Sequence, residues 1–284
     1  MTRPGVGVVY RARAFDAPDD PFTTSGPAFR YDADLGLAVS DDGVITERGP
    51  FAAVAASHPG APTIDLRAGL LLPGLVDTHV HFPQVRVIGA LGMPLLEWLE
   101  RCALPEEERL ASTTYATTVA GELVAGLIAA GTTTSLVFGS HFAPAVDALF
   151  AEAERFGLRM TSGLVVSDRV LPEPLLTTPE RSHDEAVRLA KDWHGRGRLR
   201  YAVTPRFALS AADDILAACA DVLAVVDGAC FTSHVNENNA EVATVADQFP
   251  HRDHYVDTYD HHGLLGGCSV LAHDVHPTDA ELDV

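Results

Sequence analysis

"PGLVDTHVHFPQ", residues 73–84, places two histidines one residue apart at the end of an apolar run. Side chains two residues apart in a strand share a face, so His79 and His81 are predicted to lie on one side of a buried strand. Two imidazoles on a core face are costly unless backbone carbonyls or a metal ion satisfy them. This segment alone leaves both explanations open.

Beyond residue 90 the sequence predicts helices that alternate with short β-rich runs. Ser112 is a candidate N-cap, Gly131 a helix stop and Pro179 a first helical residue. Strands that alternate with helices indicate βα units and a parallel sheet. The β-rich runs are "TTTSLVF" (132–138), "LRMTSGLVV" (158–166), "LRYAVTPRF" (199–207), "ACFTSHV" (229–235) and "CSVLAHDVH" (268–276).

Two domains of unequal size are predicted. Residues 1–70 are expected to form a small β-rich domain, a composite sandwich, with a hairpin at Asp42-Gly43 and no helix before residue 90. Residues 71–284 are expected to form an α/β fold, a (β/α)8 TIM-type barrel, because histidines and an arginine follow the ends of several strands. A doubly wound sheet is the alternative, but the sequence contains no GxGxxG or GxxxxGK[ST] phosphate loop.

The composition limits the classes of partner and the location. The 284 residues are 47% hydrophobic and carry a net charge of −19, which argues against nucleic acid and anionic membranes as partners. No apolar run of about 18 residues predicts a transmembrane helix, and "MTRPGVGVVYRARAF" lacks the pattern of a signal peptide, so we expect a cytoplasmic protein. The cysteines are far apart and predict reduced core residues, not disulfides. They are Cys102, Cys219, Cys230 and Cys268.

Four histidines at predicted strand ends together indicate a metal site. His234 follows one β-rich run and His273 the next, and both join the pair in residues 73–84. Zinc prefers imidazole and carboxylate ligands, with Fe²⁺ and Mn²⁺ as less favoured alternatives, and its bound water has a pKa near 7. Glu237 lies where a carboxyl group could transfer protons. Individually, each histidine could be a hydrogen-bonded core residue and Glu237 a helix N-terminal acid; the remaining histidines are interpreted as non-ligands.

The strand-end motifs resemble those of the amidohydrolase superfamily of metal-dependent hydrolases. They are "PGLVDTHVHFPQ", "GTTTSLVFG", "SHVNEN" and "VLAHDVH". Three further stretches are similar to the guanine deaminases within it, and the resemblance runs from about residue 65 to the end. These are "MPLLEWLERCALPEE", "TPRFALS" and "HVNENNAEV". The resemblance implies hydrolysis of guanine to xanthine and ammonia in purine catabolism, one Zn²⁺ per chain, and a homodimer. The guanine deaminases of the cytidine-deaminase fold would need HxE with PCxxC, and neither motif is present.

The resemblance also implies a role for each matching residue. The metal ligands would be His79, His81, His234 and His273, of which His273 would also orient the attacking water. Glu237 would protonate the purine ring. Gln84, Arg206, Phe207 and His234 would bind the base. Asp274 departs from the family pattern, in which a small neutral or amide residue is expected at this position.

Several alternatives remain open at this level. Arg206 could form a surface salt bridge and Phe207 could pack in the core. Trp98 is interpreted as a core or dimer residue. The chain could instead act on cytosine, a triazine or a nucleoside. It could also be an inactive fragment that keeps only the fold and metal or purine binding.

We count about six βα units in residues 71–284, so we expect the barrel to be truncated before strands 7 and 8. We therefore expect the family's barrel aspartate to lie outside this sequence and this chain to be inactive by itself.

Overall fold

A computed structural model describes residues 6–284 and divides the chain into two compact units, Met1–Gly74 and Leu75–Val284. The expectation that no signal peptide is present rests partly on residues 1–5, which lie outside the described residues. Among the described residues, no helix is both long enough and apolar enough to cross a membrane.

The first unit contains a four-stranded sheet in the order β3-β2-β1-β4. Its strands are β1 (Val6–Asp16), β2 (Arg30–Ser40), β3 (Ile45–Pro50) and β4 (Thr63–Asp65). The predicted hairpin is confirmed: β2 and β3 are antiparallel, and Gly43 between them has a φ of +75°, a value that favours glycine.

A helix, α1 (Phe51–Ser57), follows β3, so the prediction of no helix before residue 90 is wrong. The helix has only two turns and a single buried residue, Val54, which leaves no apolar period to detect. Val54 packs over Gly36, where an added Cβ would lie 2.9 Å from the Val54 Cβ. A glycine on β2, the strand next to β3, thus makes room for the helix on the sheet.

The second unit contains six parallel strands whose spatial order follows the sequence. They are β5 (Leu75–His81), β6 (Thr132–Ser140), β7 (Arg159–Val166), β8 (Leu199–Pro205), β9 (Cys230–Val235) and β10 (Ser269–His273). A doubly wound sheet reverses its strand order at a switch point, whereas here each strand pairs with the next one along the chain. The unbroken order is that of a barrel sheet and confirms the predicted fold class.

The helices connect these strands in the expected alternation. They are α2 (Leu95–Trp98), α3 (Leu104–Glu108), α4 (Thr113–Ala129), α5 (Ala143–Phe156), α6 (Pro179–Trp193), α7 (Asp213–Val225), α8 (Asn239–Gln248), α9 (Asp257–Asp260) and α10 (Asp279–Leu282). The predicted start of α4 is confirmed, because the Tyr115 amide donates to the Ser112 hydroxyl. Gly131 follows α4 with a φ of +82°, and Pro179 begins α6.

Two glycines allow the middle strands of the barrel to approach closely. A Cβ on Gly139 of β6 would lie 2.0 Å from the Gly163 carbonyl oxygen, and a Cβ on Gly163 of β7 would lie 1.8 Å from that of Ala202 on β8. Neither contact is possible for another residue unless the backbone moves. Both glycines lie toward the carboxyl ends of their strands, where the pairing register of β6 with β7 also shifts.

Two of the four cysteines form a disulfide, Cys230–Cys268, so the prediction that all four are reduced is wrong. The Phe231 amide donates to the Cys268 carbonyl, because β9 and β10 begin side by side, and the two Cα atoms lie 4.9 Å apart. The two cysteines are 38 residues apart in sequence, so their adjacency depends on the strand pairing. Cys102 and Cys219 are free thiols.

Candidate active site

Three histidines converge at the carboxyl ends of β5 and β9. The His81 Nε2 atom lies 3.1 Å from His79 Nε2 and 3.0 Å from His234 Nε2. Strand β5 supplies the first two and β9 the third, because both strands end at the same rim of the barrel. Within the part of the chain that is described, this trio is the group whose geometry could hold a metal ion.

The protonation of these imidazoles suits metal binding. The Arg206 carbonyl oxygen lies 2.6 Å from His234 Nδ1, so this nitrogen carries the proton and Nε2 keeps its lone pair. Burial lowers the pKa of His81 and of His234 well below the usual value, and it lowers the pKa of His79 to about 4. Neutral imidazoles with converging lone pairs are the ligands that a divalent transition metal requires.

The three Nε2 atoms also fit a metal ion because none of them has a hydrogen-bond donor among the other two when all three are unprotonated. An imidazole Nε2 atom without its proton can only accept, so contacts of about 3 Å between such nitrogens give no hydrogen bond unless one carries a proton. A cation between the three lone pairs would satisfy them together. The carbonyl contact to His234 Nδ1 is the kind of outer interaction that orients a metal-binding imidazole. The residues therefore fit a divalent metal.

His273 lies beside the trio but is not one of the three converging ligands. Its ring centroid is 5.3 Å from those of both His79 and His234, and its Nε2 atom is 3.5 Å from Glu237 Oε2. Burial lowers the pKa of His273. The role of His273 as a metal ligand stays a prediction. The structure does place it in contact with Glu237, the predicted acid.

Three residues at the ends of β9 and β10, one of them His273, adopt the left-handed backbone conformation. The φ angles are +76° at His273, +44° at Asp274 and +50° at Asn236. The Asn236 side-chain amide donates to Asp274 Oδ1 at 3.0 Å, and the Asp274 amide donates to the Val235 carbonyl. Strained backbone of this kind is concentrated at functional sites. Asp274, which departs from the family pattern, thus ties the end of β10 to the segment that carries Glu237.

Glu237 has the electrostatic character of a proton donor. Its carboxyl group is largely buried, and this burial raises its pKa, an effect that Arg206 opposes. A carboxylic acid with a raised pKa stays protonated closer to neutral pH, where it can donate its proton to a substrate. The role of Glu237 as a general acid stays a prediction, and its raised pKa agrees with that role.

One cavity of about 250 Å³ brings together all of the predicted site residues. They are His79, His81, Gln84, Arg206, Phe207, His234, Glu237 and His273. Leu95, Trp98 and Leu99 complete the wall, so Trp98, which was interpreted as a core or dimer residue, lines this cavity. The alternative of a surface salt bridge for Arg206 is wrong, because only 4% of its side chain is exposed.

Glu107 is the residue that sequence reasoning missed. It belongs to α3, its side chain is 2% exposed, and its Oε2 atom lies 2.6 Å from Arg206 Nη1. Its Oε1 atom accepts from Gln84 Nε2 at 3.3 Å, and His141 Nε2 lies 3.4 Å from Oε2. Burial alone would raise the pKa of Glu107, but Arg206 and His141 lower it to about 2. In the sequence, "PEEE" has the appearance of an exposed acidic helix start, and only the tertiary partners distinguish its middle glutamate.

A buried tyrosine joins the two halves of the site. The Tyr259 hydroxyl donates to the His234 carbonyl at 2.7 Å and accepts from the Ala208 amide at 2.9 Å. The Ser233 hydroxyl also lies 2.9 Å from it. The loop that follows β8 and carries Arg206 is therefore fixed against the end of β9, which carries His234.

Comparison with known proteins places this geometry in a family. The chain is 53% identical to a probable guanine deaminase of Deinococcus radiodurans over 97% of its own length and 64% of that protein. A guanine deaminase crystal structure from Bradyrhizobium japonicum superimposes with a TM-score of 0.93, at 35% identity, over 96% of this chain and 60% of that one. A guanine deaminase from C. acetobutylicum, solved with guanine in its active site, gives a TM-score of 0.86 at 25% identity, over 97% and 64%.

The chain thus spans a little under two thirds of the length of these relatives. Residues 70–284 match the amidohydrolase family, a range that includes the six-stranded barrel sheet and every residue of the cavity. With that match, the strand order and the histidine trio, the chain belongs to the amidohydrolase family.

Proposed function

We propose that this protein hydrolyses guanine to xanthine and ammonia, a step of purine catabolism, with one zinc ion per chain. The observation that carries the proposal is the cavity in which a histidine trio that could hold a metal ion, a half-buried acid and a polar edge suited to a purine base face one another. The relatives named as guanine deaminases, one of them solved with bound guanine, support this choice of substrate. The proposal also includes a homodimer and a cytoplasmic location, as the sequence and the resemblance imply.

The zinc ion would be held by His79, His81 and His234, and when bound it supplies a water molecule acidic enough to act as a nucleophile near neutral pH. Zinc is proposed over iron or manganese because the three converging ligands are all imidazoles, and nitrogen ligands generally bind Zn²⁺ more tightly than Fe²⁺ or Mn²⁺. His273 would accept a hydrogen bond from the attacking water or serve as a fourth ligand. The Arg206 carbonyl would keep His234 in the tautomer that binds metal.

Glu237 would supply the proton that the reaction needs at the purine ring. Water adds to C2 of guanine, and the neighbouring ring nitrogen N3 gains negative charge unless an acid protonates it. Collapse then breaks the bond between C2 and the amino nitrogen. The proton of the added hydroxyl passes to this nitrogen, which leaves as ammonia, and the added oxygen becomes the second carbonyl of xanthine. The raised pKa of Glu237 provides a proton for the first step.

The remaining cavity residues would select the base. Arg206 is a rigid donor suited to a carbonyl oxygen, Gln84 adds an amide, and Phe207 offers an apolar ring surface. The cavity volume of about 250 Å³ is below the roughly 300–1,000 Å³ of pockets for drug-sized ligands. A free base therefore fits the site better than a nucleotide does.

A substrate panel tests the proposal. Purified protein is incubated with guanine, cytosine, adenosine and melamine, and released ammonia is measured together with the ultraviolet spectrum of xanthine. The panel decides between this activity and the expectation, made from the sequence, that the chain is inactive by itself. The proposed activity predicts ammonia and xanthine in equal amounts from guanine, and a kcat/KM for the other compounds at least a hundredfold lower. Preferred hydrolysis of another compound, or binding of guanine to metal-loaded protein without ammonia release, would contradict the proposed activity.

A further inference from the structure

The buried carboxylate of Glu107 holds the two polar residues that line the base side of the cavity. One oxygen accepts from Gln84 and the other from Arg206, at 3.3 and 2.6 Å. Glu107 itself does not line the cavity, whereas Gln84 and Arg206 both do. Glu107 can therefore act on a bound base only through these two neighbours.

The Glu107 carboxylate fixes the orientation of the Gln84 amide, that is, which of its two atoms, oxygen or nitrogen, faces Glu107. An ionised carboxylate only accepts hydrogen bonds, so the Gln84 nitrogen must face Glu107. The pKa of Glu107, about 2, keeps it ionised throughout the neutral range. The Gln84 amide oxygen is then on the side away from this hydrogen bond and can accept from a ligand, whereas the second N–H of the amide stays on the nitrogen that Glu107 holds. Arg206 has five N–H donors and uses one nitrogen on Glu107, so it can only donate to a ligand.

We propose that Glu107 is a positioning residue that makes the site select 6-oxopurines over 6-aminopurines, an inference that rests on the proposed action on a purine base. The edge that Glu107 fixes offers an acceptor from Gln84 beside donors from Arg206. A 6-oxopurine carries the complementary pair, a ring N–H next to a carbonyl oxygen. A 6-aminopurine carries the reverse pair, so in the same orientation its ring nitrogen would face the amide oxygen and its amino group would face the guanidinium, and neither contact is a hydrogen bond.

A merely structural role for Glu107 makes a different prediction. If Glu107 served only as the counter-ion of Arg206, its loss would loosen the cavity and weaken both kinds of base by the same factor. If it sets the polarity of the edge, its loss would weaken the 6-oxopurine and leave the 6-aminopurine unchanged or tighter. The ratio of the two affinities separates the two roles, whereas either affinity alone does not.

The experiment measures base binding through the fluorescence of Trp98, which lines the cavity. Trp193 is the other tryptophan and lies in α6, stacked on Phe150, so Trp193→Phe leaves Trp98 as the single reporter. The ligands are hypoxanthine, a 6-oxopurine without the 2-amino group that would be hydrolysed, and adenine, its 6-amino counterpart. Zinc-loaded protein with the Trp193→Phe change is titrated with each base at neutral pH, and zinc content is measured on the same samples.

The variant is Glu107→Gln and its matched control is Glu106→Gln. Glu106 is the adjacent residue of α3, is also buried, and also pairs with an arginine, but its partners are Arg109 and Tyr115. A glutamine at position 107 can offer Gln84 either an oxygen or an amino group, so the Gln84 amide loses its fixed direction. We expect the preference for hypoxanthine over adenine to fall at least tenfold in Glu107→Gln and to be unchanged in Glu106→Gln, with equal zinc content.

Two results would overturn the inference. One is an equal loss of both affinities in Glu107→Gln, and the other is a parent protein that does not prefer hypoxanthine. If Glu107→Gln does not fold, Gln84→Leu at its half-buried position replaces it, because this change removes the acceptor and leaves the Arg206–Glu107 pair intact. A retained preference in Gln84→Leu would also overturn the inference. The titration measures binding and needs no turnover. A protein that fails to hydrolyse guanine would therefore contradict the proposed activity, whereas the role of Glu107 would still be decided by the binding preference.

Discussion

Replacing Arg206 by methionine should destabilise the protein through the charge that it leaves behind. The guanidinium is 4% exposed and lies 2.6 Å from a carboxylate that is 2% exposed. Methionine fills a similar length with apolar atoms, so the main loss is the partner of Glu107. Removing one member of a buried ion pair typically costs about 3–5 kcal/mol, because the remaining charge stays buried without compensation.

The pKa of Glu107 gives a second route to the magnitude. Folding lowers this pKa from 4.5 to about 2, although burial alone would raise it. At about 1.4 kcal/mol per pKa unit, the shift corresponds to roughly 3 kcal/mol of folding free energy, of which Arg206 supplies the largest part and His141 the rest. The two routes agree on the order of magnitude, so we expect Arg206→Met to lower the free energy of unfolding by about 3–5 kcal/mol at neutral pH.

The effect should depend on pH in a defined direction. A carboxyl whose pKa is lowered by folding stabilises the protein fully above pH 4.5, and this contribution is lost as the pH falls from 4.5 toward 2. Without Arg206, burial is opposed only by His141, so the pKa of Glu107 is higher in the variant than in the parent, and acid that protonates the carboxyl relieves the penalty. The difference between the two proteins should therefore be largest near pH 7 and shrink toward pH 4.5.

Urea unfolding followed by circular dichroism, at about pH 7 and about pH 4.5, measures this difference. Protonation of the site histidines affects both proteins, so only the difference between them is interpreted. The double variant Arg206→Met/Glu107→Gln, which removes both charges, should recover most of the lost stability. A loss under about 1 kcal/mol, or a loss that does not change with pH, would refute the reasoning.

Three further predictions follow from the site and the barrel. Elemental analysis of protein purified without chelators should find about one divalent ion per chain, and His79→Ala should lose it, since it removes one of three converging ligands; retained metal in the variant would contradict the assigned site. Glu237→Gln should lower kcat for guanine by roughly 10²–10⁴-fold with metal content unchanged, because an amide cannot act as the acid; a rate near that of the parent would remove Glu237 from this role. Gly163→Ala should lower the free energy of unfolding in urea by at least about 2 kcal/mol, because its Cβ would lie 1.8 Å from the Ala202 oxygen. The control Gly126→Ala, in open space on α4, should be neutral or stabilising. Equal effects of the two changes would show that β7 and β8 can separate without cost.

The barrel sheet could be predicted from sequence because its signals are local. Each β-rich run is short and bounded, each intervening helix has its own period or cap, and parallel strands end at one rim. His79, His81 and His234 were therefore expected to meet, and they do. The two-turn helix α1 was missed because one buried valine sets no period.

Features that depend on distant partners could not be predicted. Glu107 and Arg206 are 99 residues apart, and nothing in "PEEE" shows which of its three glutamates are buried or which one pairs with Arg206. The disulfide of Cys230 and Cys268 likewise depends on the alignment of two strand starts. Histidine is one of the residue types enriched in the left-handed region, but this conformation at His273 also depends on contacts of the segment after β10, which the local sequence does not specify.

Arg206 serves the site twice, once through its backbone and once through its side chain. Its carbonyl holds His234, and its guanidinium reaches Glu107. Every residue type has a carbonyl, so mutation at position 206 leaves the hold on His234 intact while it changes what the cavity recognises. Substrate choice can therefore evolve, or be engineered, without first rebuilding the metal site. Because the carboxylate at position 107 requires a partner, a library that seeks new substrates should vary positions 107 and 206 as a pair.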